Sequence, residues 1–153
     1  MANTYTQLYI HVIFAVAGRL HSVKPEFKDE IEKYISGHLT NKKHKLIAVN
    51  CMPDHVHILF GLNPNISISD MVRELKISTS NFINEKKFSK GKFQWQTGFG
   101  AFSYSKSSPD NVINYIKNQQ THHKKKSFQE EYIGFLKKYN IPYDEKYIFE
   151  SVV

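Results

Sequence analysis

Apolar and polar positions alternate strictly from Leu8 to Val16, with Leu8, Ile10, Val12, Phe14 and Val16 on one side and Tyr9, His11, Ile13 and Ala15 on the other. That period of two predicts a first β-strand. The pattern then lengthens. Pro25 fits a first helical turn, and Phe27, Ile31, Tyr34, Ile35 and His38 follow helical spacing until Asn41-Lys42-Lys43 closes the helix. Lys45 to Met52 reads as a second strand, Pro53-Asp54 as a tight connection, and His55 to Leu62 as a third strand forming a hairpin with the second. Ser67 with Asp70 resembles a capping box and opens a helix through Met71, Val72, Leu75, Thr79, Phe82 and Ile83. A basic loop, Glu85 to Lys92, leads into an aromatic fourth strand, Phe93 to Tyr104, whose entry is made irregular by Gly98 and Gly100. Ser108-Pro109-Asp110 starts a third helix that buries Val112, Ile113 and Ile116. Ser127 with Glu130 caps a last helix, through Phe128, Tyr132, Phe135, Leu136 and Tyr139, which ends at Asn140-Ile141-Pro142.

The order β-α-β-β-α-β followed by two helices predicts an α+β fold: a ferredoxin-like, split β-α-β antiparallel sheet with two additional C-terminal helices. A chain of 153 residues suits one domain over 1–153. The first two helices are expected to cover one sheet face, which leaves the face carrying His55 and His57 for something else.

Composition narrows the class. A hydrophobic share of 41% and an aromatic share of 14% fit a folded protein. Apolar runs are too short for a membrane helix, and the N-terminus has no signal-peptide pattern. The single cysteine, Cys51, excludes an internal disulfide and a cysteine-based zinc site, and is expected to be a buried, inert thiol. A cytoplasmic protein without membrane contact is expected. The net charge of +7 and pI near 9.4 point toward nucleic acid, because neutralised phosphates release counterions. Arg73, Lys76, Lys86, Lys87, Lys90 and Lys92 are the charge-based candidates for phosphate contact. Phe88, Phe93 and Trp95 interleave those lysines and read either as stacking platforms for unpaired bases or as part of a solvated loop.

Residues two apart in a strand point the same way, so His55 and His57 share a face. They read either as strand histidines or as two ligands of one metal. On the third helix Tyr115 and Gln119 are four residues apart and also share a face. Together these four side chains make a coherent chemistry. Two imidazoles and an amide oxygen can hold a metal with open positions for a phosphate, and a nearby phenol can serve as nucleophile.

Pro53-Asp54-His55-Val56-His57 in a strand, then Tyr115-Ile116-Lys117-Asn118-Gln119 with His122-His123, resembles the single-tyrosine HUH transposases, the small TnpA-type enzymes of insertion sequences that move as single-stranded DNA. Length, element order and the stretch Gly98 to Tyr104 fit as well. The resemblance implies metal ligation by His55, His57 and Gln119, with Mg²⁺ or Mn²⁺ as cofactor, although imidazole ligands alone would also accept zinc or copper. It implies that Tyr115 is the nucleophile, cleaving and rejoining single-stranded DNA through a covalent 5′-phosphotyrosine. It further implies recognition of DNA hairpins at element ends, and a homodimer whose tyrosine helix can act in trans. No role is assigned to His122 and His123. The competing reading is a non-catalytic or domesticated single-stranded nucleic-acid-binding protein of the same fold; relaxases and replication initiators with the HUH motif are usually larger.

Overall fold

The structure is a computed structural model and describes residues 4–18, 23–89, 91–105, 109–119 and 127–144. The first alternating segment forms strand β1, Tyr9–Ala15. Pro25–Phe27 makes one 3₁₀ turn, with its proline at the helix start, and runs into helix α1, Lys28–Asn41. Strands β2, Lys45–Cys51, and β3, His55–Gly61, form the expected hairpin. Helix α2, Ile68–Lys86, starts where Ser67 Oγ accepts the Asp70 amide at 3.0 Å, as the capping pattern requires. Strand β4 is Gly100–Tyr104 and helix α3 is Pro109–Lys117; Ser108 of the expected cap lies outside the described residues. Helix α4, Phe128–Lys138, is capped by Ser127 Oγ accepting the Glu130 amide at 3.2 Å.

The strands lie in the order β2-β3-β1-β4, every neighbouring pair antiparallel. Because β3 separates β1 from β2, each strand–helix–strand unit is split, as the element order predicts. The fourth strand is shorter than the sequence pattern implies. Gly100 to Tyr104 pairs with β1 from Ile13 back to Tyr9, whereas Trp95 bridges Val16 separately. The break falls at Gly98, whose φ of 94° carries the chain out of extended geometry between the two pairings.

Register divides the sheet into two faces, since directly opposed residues point the same way. Val12, Phe14, Val56, Ile58 and Phe60 face α1 and α2, joining Ile31, Ile35, Leu39, Met71, Leu75 and Ile83 in the main core. Each fully buried side chain of this size contributes about 1.5–3 kcal/mol. Phe88, Phe93 and Trp95 belong to that core, at 6%, 1% and 8% exposure, so the stacking-platform reading of these aromatics is corrected. The Trp95 indole packs edge-on against Phe14 and donates to Thr79 Oγ1 at 2.9 Å. Cys51 is buried as expected, and burial pushes its thiol up to about 12.

The opposite face carries Asn50, His55, His57, Leu59, His11, Ile13 and Phe102 in register. It is covered as well. Val112 and Ile116 of α3 close a smaller apolar cluster on Ala48 and Leu59, and α4 lays Phe128, Tyr132 and Phe135 over the remainder. Among the described residues no helix is long and apolar enough to cross a membrane.

Candidate active site under helices α3 and α4

The site begins with the period of β3. His55 and His57 share the α3/α4 face, as their spacing requires, but are far more enclosed than strand histidines on an open face, at 1% and 0% exposure. Each ring is fixed through Nδ1. Asp54 Oδ1 lies 2.6 Å from His55 Nδ1, and His11 Nε2 lies 2.8 Å from His57 Nδ1. With the Nδ1 side held, Nε2 of each ring is directed into the site, the arrangement by which carboxylates and other acceptors orient metal-binding imidazoles. Burial drives the His11 imidazole well below its ordinary pKa, and the neighbouring His57 adds to this, so His11 is neutral here and can accept a His57 Nδ1–H when His57 offers its Nε2 lone pair to a metal.

From α3, Tyr115 sets its ring edge-on to His57, with centroids 5.9 Å apart, and edge-on to His11 at 6.4 Å. The tyrosine of this chain therefore meets the histidines of the same chain. Burial holds the Tyr115 phenol far above its usual range, and a hydrogen bond with the Glu131 carboxylate raises it further. The ring also borders a cleft of about 520 Å³ between β4, α3 and α4, walled by Tyr104, Phe135 and Tyr139 and edged by Asn111 and Lys138.

Gln119 is fully buried beside this group, just beyond the last regular residue of α3, Lys117. Its Nε2 donates to the Tyr115 carbonyl at 3.3 Å. His122 and His123 lie outside the described residues. Helix α3 is tied to the sheet by Asn50, which opposes His57 in the hairpin register and donates from Nδ2 to the Ile116 carbonyl at 2.7 Å. That carbonyl belongs to the last turn of the helix, where intrahelical partners run out. Asn50 Oδ1 in turn accepts from Lys28 Nζ, linking α1 to the same brace.

Glu131 of α4 completes the group. Its Oε1 is 3.2 Å from His57 Nε2, and the residue is 4% exposed. Ligand atoms of His55, His57 and Glu131 all lie within 4.8 Å of one another. Two imidazole nitrogens and a carboxylate oxygen at that spacing fit a divalent cation. Phe128 stacks on His55 at 4.1 Å, and Phe135 meets His11 edge-on at 5.7 Å, so α4 roofs the site as well as adding to it.

Three residues of this site escape a reading by motif, His11, Asn50 and Glu131, whereas Asp54 stands inside the motif and the structure adds its bond to His55. His11 had one signal, a lone polar residue inside an alternating apolar strand. Glu131 had none, because an acid in the first turn of a capped helix is ordinary N-terminal charge.

The basic candidates gather elsewhere. Arg73, Lys76 and Lys92 line a cleft of about 610 Å³ along α2, and Lys24, Lys87 and Lys92 line a second of about 840 Å³ that shares Asn81 and Asn84 with it. Both lie on the α1/α2 side of the sheet, away from the histidines. Lys86 is exposed at the end of α2, and Lys90 lies outside the described residues. Lys76 has a structural part: its ammonium donates to the carbonyls of Gln96 and Gly98 at 2.9 and 2.7 Å, and burial lowers its pKa to about 8.

Comparison with known proteins bears on the family and the fold. Residues 4–119 match the family model described as IS200-like transposase. The ISDra2 transposase TnpA of Deinococcus radiodurans is 25% identical over 120 residues, which cover 74% of this chain and 84% of that protein. Two solved structures share the fold. A candidate transposase of Deinococcus radiodurans R1 superposes with a TM-score of 0.59 at 24% identity, covering 78% of this chain and 95% of its own. A REP-associated tyrosine transposase bound to a REP hairpin superposes with a TM-score of 0.58 at 15% identity, covering 80% and 73%. Through the match over residues 4–119, the chain belongs to the IS200-like transposase family.

Proposed function

We propose that this chain cleaves and rejoins single-stranded DNA through Tyr115, with a divalent cation, Mg²⁺ or Mn²⁺, held by His55, His57 and Gln119. The observation that carries the reading is the edge-on approach of Tyr115 to His57, 5.9 Å between ring centroids, at the only histidine pair oriented on β3 by two Nδ1 partners among the described residues. A cation bound there would polarise the scissile phosphodiester and offset charge gathering on its oxygens. The rest is the work of the chain. Tyr115 Oη forms the bond to phosphorus as the bond to the 3′ oxygen breaks; the phenolic proton passes, through solvent, to the departing 3′ oxygen, which leaves as a hydroxyl. The 5′-phosphotyrosine conserves the ester, so a second 3′-hydroxyl can reverse the step and join strands. Asn50 positions the end of α3 that carries the phenol.

DNA is engaged, on this proposal, from the other side of the sheet as well. Arg73, Lys76, Lys87 and Lys92, which line the α2 clefts, supply phosphate contacts, and Lys86 and Lys90 stay candidates by charge alone. A relative of the same fold was solved with a REP hairpin, and we carry hairpin recognition at element ends over to this chain as part of the proposal. The chemistry and the basic clefts then lie on opposite faces, which lets a folded hairpin and a single-stranded cleavage site be held at once.

The test mixes protein, Mg²⁺ and single-stranded oligonucleotides from the DNA flanking the gene on a denaturing gel. A covalent protein–DNA adduct that is lost with EDTA and with Tyr115→Phe is expected. Undiminished cleavage by Tyr115→Phe would overturn the assignment. Tight binding to the same strands with no adduct would favour a non-catalytic, domesticated binder.

A further inference from the structure

We infer that Glu131 is itself a ligand of the divalent cation, so that the metal centre is completed from α4, outside the stretch 4–119 that the family model matches. The inference rests on the histidine pair being a metal site, and adds to it a residue that the His-x-His and Tyr-x-x-x-Gln patterns do not contain.

Geometry is the first support. Ligands adjacent to one another around an octahedral cation, each about 2.0–2.2 Å from it, stand about 3 Å apart. The 3.2 Å between His57 Nε2 and Glu131 Oε1 has that spacing, and the His55 ligand atom completes a triangle within 4.8 Å. The Nδ1 contacts of Asp54 and His11 set the nitrogens that face Glu131. Burial is the second support, since a carboxylate taken out of water needs strong compensation, and a divalent cation supplies it. Hardness is the third. A pair of imidazoles favours no hard ion, whereas a carboxylate oxygen shifts the donor set toward Mg²⁺ or Mn²⁺.

The position of Glu131 has a consequence for substrate. Its carboxylate borders the Tyr115 hydroxyl, where the scissile phosphate must arrive. Without a cation between them, two anions would share that space; metal entry therefore precedes productive DNA entry.

The experiment titrates the full chain with MnCl₂ alone by isothermal calorimetry, comparing wild type, Glu131→Gln, His57→Ala and Gln119→Ala, with circular dichroism to verify folding. Glu131→Gln keeps the shape but removes the charged ligand. At least a tenfold loss of Mn²⁺ affinity is expected, together with a metal-free thermal midpoint no lower than that of wild type. A purely structural Glu131 would show the reverse: unchanged affinity and a lowered midpoint. Unchanged Mn²⁺ binding by folded Glu131→Gln, alongside loss in His57→Ala, overturns the inference and leaves the proposed function standing. Unchanged binding in both, or no binding by wild type, overturns the centre as drawn, and the oligonucleotide adduct then judges the function separately. If Glu131→Gln does not fold, Glu131→Asp replaces it: the shorter carboxylate keeps the charge but withdraws the ligand, and wild-type affinity in that variant overturns the inference.

Discussion

His11 and His57, on adjacent strands, meet ring to ring, Nε2 to Nδ1 at 2.8 Å, with both imidazoles out of solvent. The two rings stack at 5.1 Å between centroids, so His11 fixes the tilt of its neighbour and occupies its Nδ1 side. Its replacement by Ala is expected to lower Mn²⁺ affinity by roughly 10–100-fold, the usual cost of losing a residue that orients a metal ligand. Calorimetry checks this, and an affinity equal to wild type would mean that the His57 ring is held by its packing alone.

Because Tyr115 meets His57 within one chain, the site can be completed in cis. Mixing Tyr115→Phe with His57→Ala protein is therefore expected to yield no adduct. Restored cleavage in the mixture would show that a homodimer exchanges its tyrosine helices, as the family resemblance implies.

Gly100 is required by the close approach of α4 to the sheet. A Cβ there would stand 2.7 Å from Tyr132 Cε1 and 2.8 Å from its hydroxyl, inside any tolerated contact. Gly100→Ala is expected to cost about 1–3 kcal/mol, as overpacking does. A urea titration measures it, and Tyr132→Leu added to the same chain should recover part of the loss. Simple additivity of the two variants would mean that the clash is relieved elsewhere.

The lone tryptophan reports on the corrected role of the aromatic segment. Trp95 is buried between Phe14 and Phe93 with its indole donating to Thr79, so its emission is expected to be blue-shifted and resistant to iodide. Oligo-dT should leave it unchanged. Strong quenching on DNA addition would return Trp95 to the stacking surface.

How much of this could be read from the chain depends on how local each signal is. The β1 alternation, the two Ser caps and the Pro53-Asp54 hairpin are determined within a few residues, and the structure follows them closely. His55 and His57 declare themselves in the same way, by period two. Glu131 and His11 do not, because their meaning arises from pairing: His11 matters only when β1 lies beside β3, and Glu131 only when α4 folds across the sheet. The aromatics between Phe88 and Trp95 misled for the converse reason. Lys86, Lys87 and Lys92 are exposed while the rings turn in, and composition does not distinguish the two directions. Gly98, whose positive φ divides the fourth strand, was legible as a break but not as a change of pairing.

The roof that Phe128 and Phe135 lay over His55 and His11 bears on timing as well as shape. Were entry to require α4 to lift, a local opening whose free energy lies somewhere between fraying and global unfolding, a cation could not arrive at the rate of diffusion. Metal uptake by this chain would then be slow, independent of metal concentration once that is high, and equal in rate to amide exchange along α4. The same opening frequency would limit how often the tyrosine can be offered to a strand, making the helix, more than the chemistry beneath it, the pacemaker of turnover.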